Sequence, residues 1–145
     1  MERKVNVGIA VAVLRIHNDN YEILLGKRKG SHGAGKWSFP GGWMRHGEHF
    51  FDTARRELAE ETDMTSLSLL PDPIHVSTTI WEEEDVQSVT VVMAALDCTE
   101  TPKVMEPHKL DGEWTWFQLD QLPKPLFEPL ANDPYLWVKI NNLDW

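Results

Sequence analysis

The chain has 145 residues, of which 41% are hydrophobic and 26% charged, a length and composition typical of one globular domain spanning residues 1–145 and not of a disordered chain. Its net charge of -9 argues against binding a nucleic-acid polymer, because affinity for a phosphate backbone comes mostly from clustered Lys and Arg. The single cysteine, Cys98, cannot form an internal disulfide, so we expect a reducing, cytoplasmic location.

The first predicted element is a strand over residues 5–16, within an N-terminal segment that begins with basic residues and continues as a short apolar run. This run is about half the roughly 20 residues needed to span a membrane. Arg15 follows the apolar run directly, and no clear cleavage site comes after it. The segment therefore indicates a buried strand, and neither a signal peptide nor a membrane span is predicted.

A second strand is predicted over residues 21–28, joined to the first by the polar turn HNDN. Residues 29–35 form a glycine-containing loop, and residues 37–39 a short strand. The sequence Pro-Gly-Gly at 40–42 should end that strand, because proline lacks a donor for the ladder and the glycines permit a sharp reversal.

The strongest helix prediction covers residues 48–62, where Phe51, Ala54 and Leu58 recur at helical spacing without a proline. Further segments are assigned as strands at 75–81, 88–96 and 113–117 and as a terminal helix near 134–140. Strands before and after a central helix predict an α+β fold in which helices pack on a mixed sheet.

Three glutamates crowd one face of the predicted helix, since Glu57, Glu60 and Glu61 lie within roughly 100 degrees of one another on a helical wheel. The pair Glu57 and Glu61 is a like-charge i,i+4 arrangement that costs on the order of 0.2–0.5 kcal/mol. A hard cation such as Mg²⁺, or alternatively Mn²⁺, would relieve this repulsion. The competing interpretation is a solvated charged face in which Arg55 and Arg56 offset the acids.

The residues upstream decide between these interpretations, because Gly42, Glu48 and the run from Arg56 to Met64 fall in one register. The pattern resembles the Nudix box, G-x5-E-x7-R-E-U-x-E-E-x-G-U with U apolar. Its matching positions are Gly42, Glu48, Arg56, Glu57, Leu58, Glu60, Glu61 and Met64. The resemblance continues through residues 24–28, 39–42, 105–107 and 122–126.

One position departs from the family pattern, since Asp63 stands where the box has glycine. A glycine at a helix C-terminus supplies a left-handed residue, and Asp is among the few other types that accept this conformation, at a cost of about 1 kcal/mol. We expect Asp63 to affect stability slightly and to leave a metal site intact.

The resemblance implies a Nudix fold, a mixed sheet between helices as an α/β/α sandwich. It also implies Mg²⁺-dependent hydrolysis of a nucleoside diphosphate linked to another group, here a nucleoside triphosphate, including oxidised purine nucleotides, cleaved to the monophosphate and pyrophosphate. The alternatives are a pyrophosphatase for ADP-ribose or nucleotide sugars, and a non-catalytic nucleotide-binding module. A homodimer is the expectation from relatives.

The resemblance also implies a metal site. Glu57 and Glu61 are the firmest predicted ligands, because their separation of one turn lets both carboxylates reach one ion. Glu60 is the next ligand, and the Gly41 carbonyl completes the set as it does in relatives.

Catalytic and substrate-binding roles follow from the same match. Arg56 is predicted to orient Glu57 by charge-assisted hydrogen bonds, and Glu57 is the preferred general base. Glu48 is expected to support the loop or a second metal. Arg28, at the end of a predicted strand, is expected to contact the nucleotide, with a solvated strand-end charge as the alternative. Phe39 is expected to flank the base, with core packing as the alternative.

Several further residues have simpler interpretations. The acidic turn at 82–85 could supply another ligand, but an exposed turn is favoured. Trp81 or Trp116 could stack on a base. Three histidines lack a metal-binding spacing and are assigned to the surface: His32, His46 and His49.

Residues 30–36 nearly match the phosphate-binding loop G-x4-G-K-[ST], but Trp37 replaces the hydroxyl residue that binds Mg²⁺. Such a loop must also open a helix, whereas residues 37–42 predict a strand and a turn. We reject an NTPase of that type.

Overall fold

A computed structural model describes residues 3–30 and 32–145. The start of the basic N-terminal segment, Met1 and Glu2, and Ser31 of the rejected loop motif lie outside the described residues. The strands are β1 Asn6–His17, β2 Asn20–Lys27, β3 Trp37–Ser38, β4 Gly41–Trp43, β5 Ser68–Leu69, β6 His75–Trp81, β7 Val86–Leu96 and β8 Thr115–Gln118. The helices are α1 Phe50–Thr62, α2 Glu128–Ala131 and α3 Pro134–Asn141. Within the described residues, no helix is long and apolar enough to span a membrane.

Strand β1 is the centre of a mixed eight-stranded sheet, and its apolar run is explained by burial on both faces. It pairs in parallel with β7 along one side, from Asn6 opposite Ser88 to Val13 opposite Ala95. Along its other side it pairs antiparallel first with β4 and then with β2. The predicted N-terminal strand is therefore confirmed, although it begins and ends one residue later than predicted.

Helices cover both faces of the sheet. Ala54 and Leu58 of α1 pack on one face. Leu130 of α2 and Leu136 and Ile140 of α3 pack on the other face. The α+β prediction, a mixed sheet sandwiched between helices, is confirmed.

The short strand before Pro40 is confirmed, as Trp37–Ser38, but the sharp reversal predicted at residues 40–42 is not made by the two glycines. Gly41 and Gly42 belong to strand β4, which pairs antiparallel with β1, and neither glycine has a positive φ. A Cβ atom on Gly41 would lie 2.1 Å from the carbonyl oxygen of Ile9. Close approach to β1, and not a left-handed turn, is therefore the reason that this position needs glycine.

The boundaries of α1 follow from its caps. The helix begins at Phe50 and not at residue 48, because His49 is extended (φ -84°, ψ 164°) as the N-cap, and Asp52 accepts a hydrogen bond from the His49 N–H at 2.9 Å. Asp63 ends the helix in the left-handed conformation with φ 59°. The expectation that Asp63 replaces a left-handed glycine is confirmed.

The sheet opens where β1 changes partners. Strand β4 pairs with Gly8 to Ala10, whereas β2 pairs with Leu14 to His17. In the gap between these ladders, the Val11 N–H donates to the Pro40 carbonyl at 2.8 Å. Short elements such as β4 and α2 were not predicted, because a few residues carry too little periodicity to be assigned.

Candidate active site

A cavity of about 720 Å³ lies at this opening of the sheet. One end is lined by glutamates of α1 and by β4, and the other by aromatic side chains from β6 and the start of α2. The predicted site residues that line it are Arg28, Phe39, Gly41, Glu57, Glu60 and Glu61. The fold thus brings together residues separated by up to 33 positions in the sequence.

Glu57 is held at the inner end of the glutamate cluster. It is a buried carboxylate, with only 7% of the residue exposed, and it accepts a hydrogen bond from Arg56 Nη1 at 2.7 Å. A Cβ atom on Gly42 would lie 2.4–2.6 Å from the three atoms of the Glu57 carboxyl group. The box glycine at position 42 is therefore required for the space that this carboxylate occupies.

Arg56 is the centre of the hydrogen-bond network beneath the cavity. Its Nε donates to Glu48 Oε2 at 2.7 Å and its Nη2 to Glu48 Oε1 at 3.0 Å. Nη2 also donates to the Trp43 carbonyl at 3.0 Å, which ties α1 to β4. Neither Arg56 nor Glu48 lines the cavity, and their hydrogen bonds join Glu57 to the loop that precedes α1.

Glu48 is bound on both oxygens. Hydrogen bonds from Arg56, and then from the Arg45 backbone N–H at 2.9 Å, lower the pKa of Glu48 to about 2. The same pairing with Glu48 raises the pKa of Arg56 above its usual value. This geometry corresponds to the loop-supporting role expected for Glu48.

The pKa of Glu61 is shifted in the opposite direction. Burial, followed by the adjacent Glu57 carboxylate, raises the pKa of Glu61 well above its usual range. The Glu106 carboxylate contributes further to this rise. Glu106 is brought near because the N–H of the preceding residue, Met105, donates to the Glu61 carbonyl at 3.3 Å. Neutral Glu61 is the form favoured where carboxylates crowd without a cation.

Glu106 is a cavity residue to which the sequence assigned no role. The one signal in the sequence for a role of Glu106 is that residues 105–107 belong to the family resemblance. It lies more than 40 residues after the helix that it faces, so periodicity could not place it there.

Glu60 differs from the other two glutamates of the helix. It is exposed, and its carboxylate lies 3.3 Å from Arg56 Nη1 and 3.9 Å from Arg45 Nη1. The three glutamates predicted to share one face of the helix therefore differ in burial. Glu57 is buried beneath β4, whereas Glu60 faces solvent and two arginines.

The donor chemistry of this end fits a divalent cation. Burial and mutual repulsion of Glu57, Glu61 and Glu106 are the conditions that a hard, oxygen-preferring ion relieves. In residues 3–30 and 32–145, no three His, Cys, Asp or Glu side chains are already arranged as a metal centre. A Mg²⁺-type ion commonly takes only one or two carboxylates and completes its ligands from water and substrate phosphates.

The opposite end of the cavity is aromatic. Trp81 and Phe127 stack with ring centroids 5.6 Å apart and an interplanar angle of 27°. The guanidinium of Arg28 lies 4.0 Å from the Phe127 ring centroid, and its Nε donates to the His32 carbonyl at 3.2 Å. Burial lowers the pKa of Arg28, opposed by the charge of Glu61. Arg28 is therefore a half-buried cation that contacts Phe127 at the aromatic end and interacts electrostatically with Glu61 at the other.

The prediction that His32 is a surface residue is wrong, because the residue is half-buried. Its ring packs edge-on against Trp81, with centroids 4.7 Å apart, and it lines the cavity. Because Trp81 of β6 is far from His32 in the sequence, the residues next to His32 do not indicate this contact. His46 and His49 are exposed, as expected.

Trp81 and not Trp116 reaches the cavity. Its Nε1–H donates to Glu128 at 2.7 Å, and Lys36 pairs with the same carboxylate. Trp116 lies elsewhere, under the guanidinium of Arg15. Phe39 is buried in the core beside Trp137, as the packing alternative predicts, and it also lines the cavity.

The acidic turn at 82–85 is exposed, as favoured from the sequence. Glu84 pairs with His32, and Asp85 pairs with Arg3 at 2.6 Å. No residue of this turn lines the cavity.

Comparisons with known proteins agree with this architecture. A model of the NUDIX domain matches residues 7–138. The oxidized purine nucleoside triphosphate hydrolase of Mus musculus is 34% identical over 118 residues, which cover 81% of this chain and 70% of the relative. The RNA pyrophosphohydrolase of Caulobacter vibrioides is 43% identical over 60 residues, which cover 41% of this chain and 34% of the relative. Among solved structures, a MutT NUDIX hydrolase from Burkholderia pseudomallei has a TM-score of 0.75 at 28% identity and covers 98% of this chain and 100% of its own.

Proposed function

The chain belongs to the Nudix family and is a hydrolase of phosphoanhydride bonds in nucleotides, and on that premise we propose that it cleaves nucleoside triphosphates to the monophosphate and pyrophosphate in a Mg²⁺-dependent reaction. The murine relative is named for hydrolysis of oxidized purine nucleoside triphosphates. Oxidised purine nucleotides are accordingly the first substrates to test.

One observation carries the proposal: a single cavity joins crowded carboxylates to a pair of stacked aromatic rings. A polyphosphate with a bound cation suits the first end, and a flat base suits the second. Arg28, held against Phe127, supplies positive charge between them. A nucleoside triphosphate has a polyphosphate at one end and a flat base at the other, which correspond to the two ends of the cavity.

The carboxylate end would hold the cation through Glu57 and Glu61, with Glu60 and the Gly41 carbonyl as further ligands. When bound, the ion would neutralise charge on the phosphate oxygens and lower the pKa of a ligated water. Glu60 would have to turn from Arg56 and Arg45 to join this set. We therefore place Glu60 after Glu57 and Glu61 in importance.

The protein groups around this end keep Glu57 ready to act as a base. Arg56 holds the Glu57 Oε1 atom by a charge-assisted hydrogen bond. Glu48 fixes Arg56 through two hydrogen bonds, so rotation of the guanidinium is restricted. In this arrangement Glu57 takes a proton from the attacking water while Arg56 and Glu48 position it.

The substrate contacts proposed are Arg28 for the phosphates and Phe39, with Trp81 and Phe127, for the base. Within the described part of the chain, Arg28 makes one hydrogen bond from its guanidinium, through Nε to the His32 carbonyl. Its Nη groups are therefore available to phosphate oxygens.

The test is a Mg²⁺-supplemented panel of unmodified and oxidised nucleoside triphosphates, ADP-ribose, nucleotide sugars and a 5′-triphosphorylated oligonucleotide, with products identified by chromatography. We expect monophosphate and pyrophosphate from a nucleoside triphosphate. Preferential cleavage of ADP-ribose or a nucleotide sugar would favour the second interpretation. Preferential cleavage of the oligonucleotide would favour an RNA substrate, for which the Caulobacter relative is named.

The same reaction in ¹⁸O-labelled water identifies the phosphorus that is attacked. Label in the monophosphate indicates attack at the α-phosphorus, and label in pyrophosphate indicates attack at the β-phosphorus. Release of orthophosphate from a triphosphate would contradict the proposed cleavage.

Location and assembly remain predictions. Cys98 is free and buried, as a reducing cytoplasm permits. A homodimer is testable by sedimentation of the purified protein.

A further inference from the structure

Three buried hydroxyl groups line the cavity without a protein partner. Ser38, Ser88 and Thr90 are 8%, 3% and 8% exposed, and all three line the cavity. Within residues 3–30 and 32–145, these three hydroxyls make no hydrogen bond. Over the same range, every side-chain nitrogen or oxygen atom without a hydrogen-bond partner is accessible to solvent. The hydroxyl oxygens must therefore reach the cavity itself.

The other buried polar side chains of the described chain are paired. Thr62 donates to the Leu58 carbonyl at 2.5 Å, and Thr53 donates to Glu48 at 3.0 Å. His75 and Glu57 are hydrogen-bonded to Asp133 and Arg56. Because a buried polar group without a partner destabilises the fold, the exceptions call for a ligand as their partner.

The sheet register places two of these hydroxyls beside the aromatic end. Ser88 lies opposite Thr79, and Thr90 lies opposite Ser77, in the antiparallel pairing of β6 with β7. Directly opposed residues share a face of the sheet, and alternate residues return to it. Trp81, two residues after Thr79, is thus the diagonal neighbour of Ser88 on one face.

The neighbouring strand presents no side chain beside Thr90. Thr90 lies opposite Gly8 in the parallel pairing with β1, and Gly8 also lines the cavity. A Cβ atom at Gly8 would meet the Trp43 ring at 3.4 Å. Glycine therefore leaves room beside Thr90 for the Trp43 ring, which lines the same cavity.

We propose that Ser88 and Thr90, assisted by Ser38, bind the heteroatom edge of the nucleobase and thereby determine which bases are accepted. The inference rests on the proposed function, since it assigns the base to the aromatic end of the same cavity. A base is the fitting part of the nucleotide, because the hydroxyls are neutral and lie beside stacked rings, whereas phosphates need cations.

The chemistry of hydroxyl groups defines the substrate class. A hydroxyl both donates and accepts, so it can pair with a ring N–H, an exocyclic amine or a carbonyl oxygen. A base that lacks polar groups on this edge leaves the hydroxyls unpaired. The expected substrates are nucleotides whose base has exocyclic oxygen or nitrogen, and the expected poor substrate is the triphosphate of indole riboside, whose base has no hydrogen-bonding atom on its exposed edges.

The test compares Thr90→Val and Ser88→Ala with the wild-type protein on two substrates, the best nucleoside triphosphate of the panel and indole riboside triphosphate. On the first, each variant should lose about three- to tenfold in kcat/KM, the equivalent of one neutral hydrogen bond. On the second, the loss should be less than twofold, because no partner is present on the base. Thr78→Val, at an exposed position of β6, is the matched control and should match the wild type on both.

Thermal stability separates ligand binding from a structural role. Since their hydroxyls have no protein partner, Thr90→Val and Ser88→Ala should keep or raise the unfolding midpoint in the absence of nucleotide. Thr62→Val, which removes a hydrogen bond at an equally buried site, should lower it. Lower midpoints for both cavity variants, comparable to that of Thr62→Val, would overturn the inference.

Direct binding keeps this inference distinguishable from the proposed function. Calorimetric titration with the nucleoside monophosphates, which need no cleavage, should show weaker binding to both variants and unchanged binding to Thr78→Val. Equal affinities and equal kcat/KM for variants and wild type would overturn the role of the hydroxyls while triphosphate cleavage stands. Failure of the wild type to cleave any triphosphate, with weakened binding in the variants, would overturn the function and retain the hydroxyls as base contacts.

Discussion

Arg56 explains how one helix tolerates three glutamates in five positions. Its guanidinium donates to Glu57 at 2.7 Å, to Glu60 at 3.3 Å and to Glu48 at 2.7 and 3.0 Å. Glu61 receives none of these bonds, and its pKa is raised by burial and by Glu57. Repulsion that Arg56 leaves unrelieved is therefore concentrated on the pair Glu57 and Glu61, where the cation is proposed.

We expect Glu57→Gln and Glu61→Gln each to lower kcat by two or more orders of magnitude, because each removes a proposed cation ligand, and Glu57→Gln also removes the proposed base. Steady-state kinetics with the best substrate measure the effect, and circular dichroism checks that the fold persists. Glu113→Gln, at an exposed position outside this cavity, is the control. Near-normal turnover in both variants would contradict the assignment of Glu57 and Glu61 as cation ligands.

Gly42→Ala tests whether the space beside Glu57 matters. The new Cβ atom would lie within 2.6 Å of the carboxyl group, so Glu57 must move. We expect a loss of kcat on the order of 100-fold or more, comparable to a misplacement of about 1 Å, while base binding measured by titration with nucleoside monophosphate stays within twofold. Full activity of Gly42→Ala would show that the position of Glu57 is not critical.

Among the elements, α3 is anchored to β6 by a chain of polar contacts. Lys139 Nζ lies 2.9 Å from His75 Nδ1, and His75 Nε2 lies 2.6 Å from Asp133. Because an ammonium group can only donate, Nδ1 must accept and the Nε2–H donates to Asp133. Asp133 also accepts from the Tyr135 N–H at the helix start, so one carboxylate both caps α3 and fixes it to the sheet.

This anchor should depend on pH. The hydrogen bond from His75 lowers the pKa of Asp133 below its ordinary 3.8. A depressed carboxyl pKa stabilises the fold above the ordinary value, and the stabilisation is lost as the pH falls through the folded value. Asp133→Asn retains a capping side chain but removes the titration.

We expect Asp133→Asn to lower the free energy of unfolding by roughly 0.5–1.5 kcal/mol at pH 7, and the difference from the wild type to shrink as the pH falls below about 3.8. Urea unfolding between pH 3 and pH 7 measures this. A difference that grows with acidity would contradict the assignment.

At the scale of the whole molecule, the sandwich fixes the cavity at the break in the sheet. Strands β4 and β2 leave the same side of β1 at different points. The cavity is therefore lined by glutamates of α1 at one end and, at the other, by Trp81 at the end of β6 and Phe127 just before α2. A net charge of -9 would repel a free polyphosphate, so a bound cation also serves to bring the substrate in.

Removal of the metal should affect both activity and stability. We expect a chelator to abolish turnover and Mg²⁺ to restore it. A ligand that binds only the folded state stabilises it by about 2.7 kcal/mol at 100 times its Kd, so Mg²⁺ should raise the unfolding midpoint. The rise should be reduced in Glu57→Gln and Glu61→Gln and retained in Glu113→Gln. An equal rise in all four proteins would place the ion elsewhere.

Much of this molecule could be predicted from local sequence. The long strands, α1 and the terminal helix follow from apolar periodicity, and the left-handed Asp63 follows from the box register. The turn proposed for Gly41 and Gly42 was wrong, because local rules favour a reversal, whereas contacts with Ile9 and Glu57 set the conformation. No local rule reports the approach of a distant strand or helix.

The family, the α+β fold class and the spacing of the glutamates follow from the sequence, because they depend on residues close together in the chain or on periodicity. Contacts in three dimensions were needed to show that the pKa of Glu61 is raised, that Glu106 and His32 line the cavity, and that, within the described residues, the Ser88 and Thr90 hydroxyls there have no protein partner. The physical reason is that burial, pKa and hydrogen-bond satisfaction depend on contacts between segments, which the order of residues along the chain does not specify.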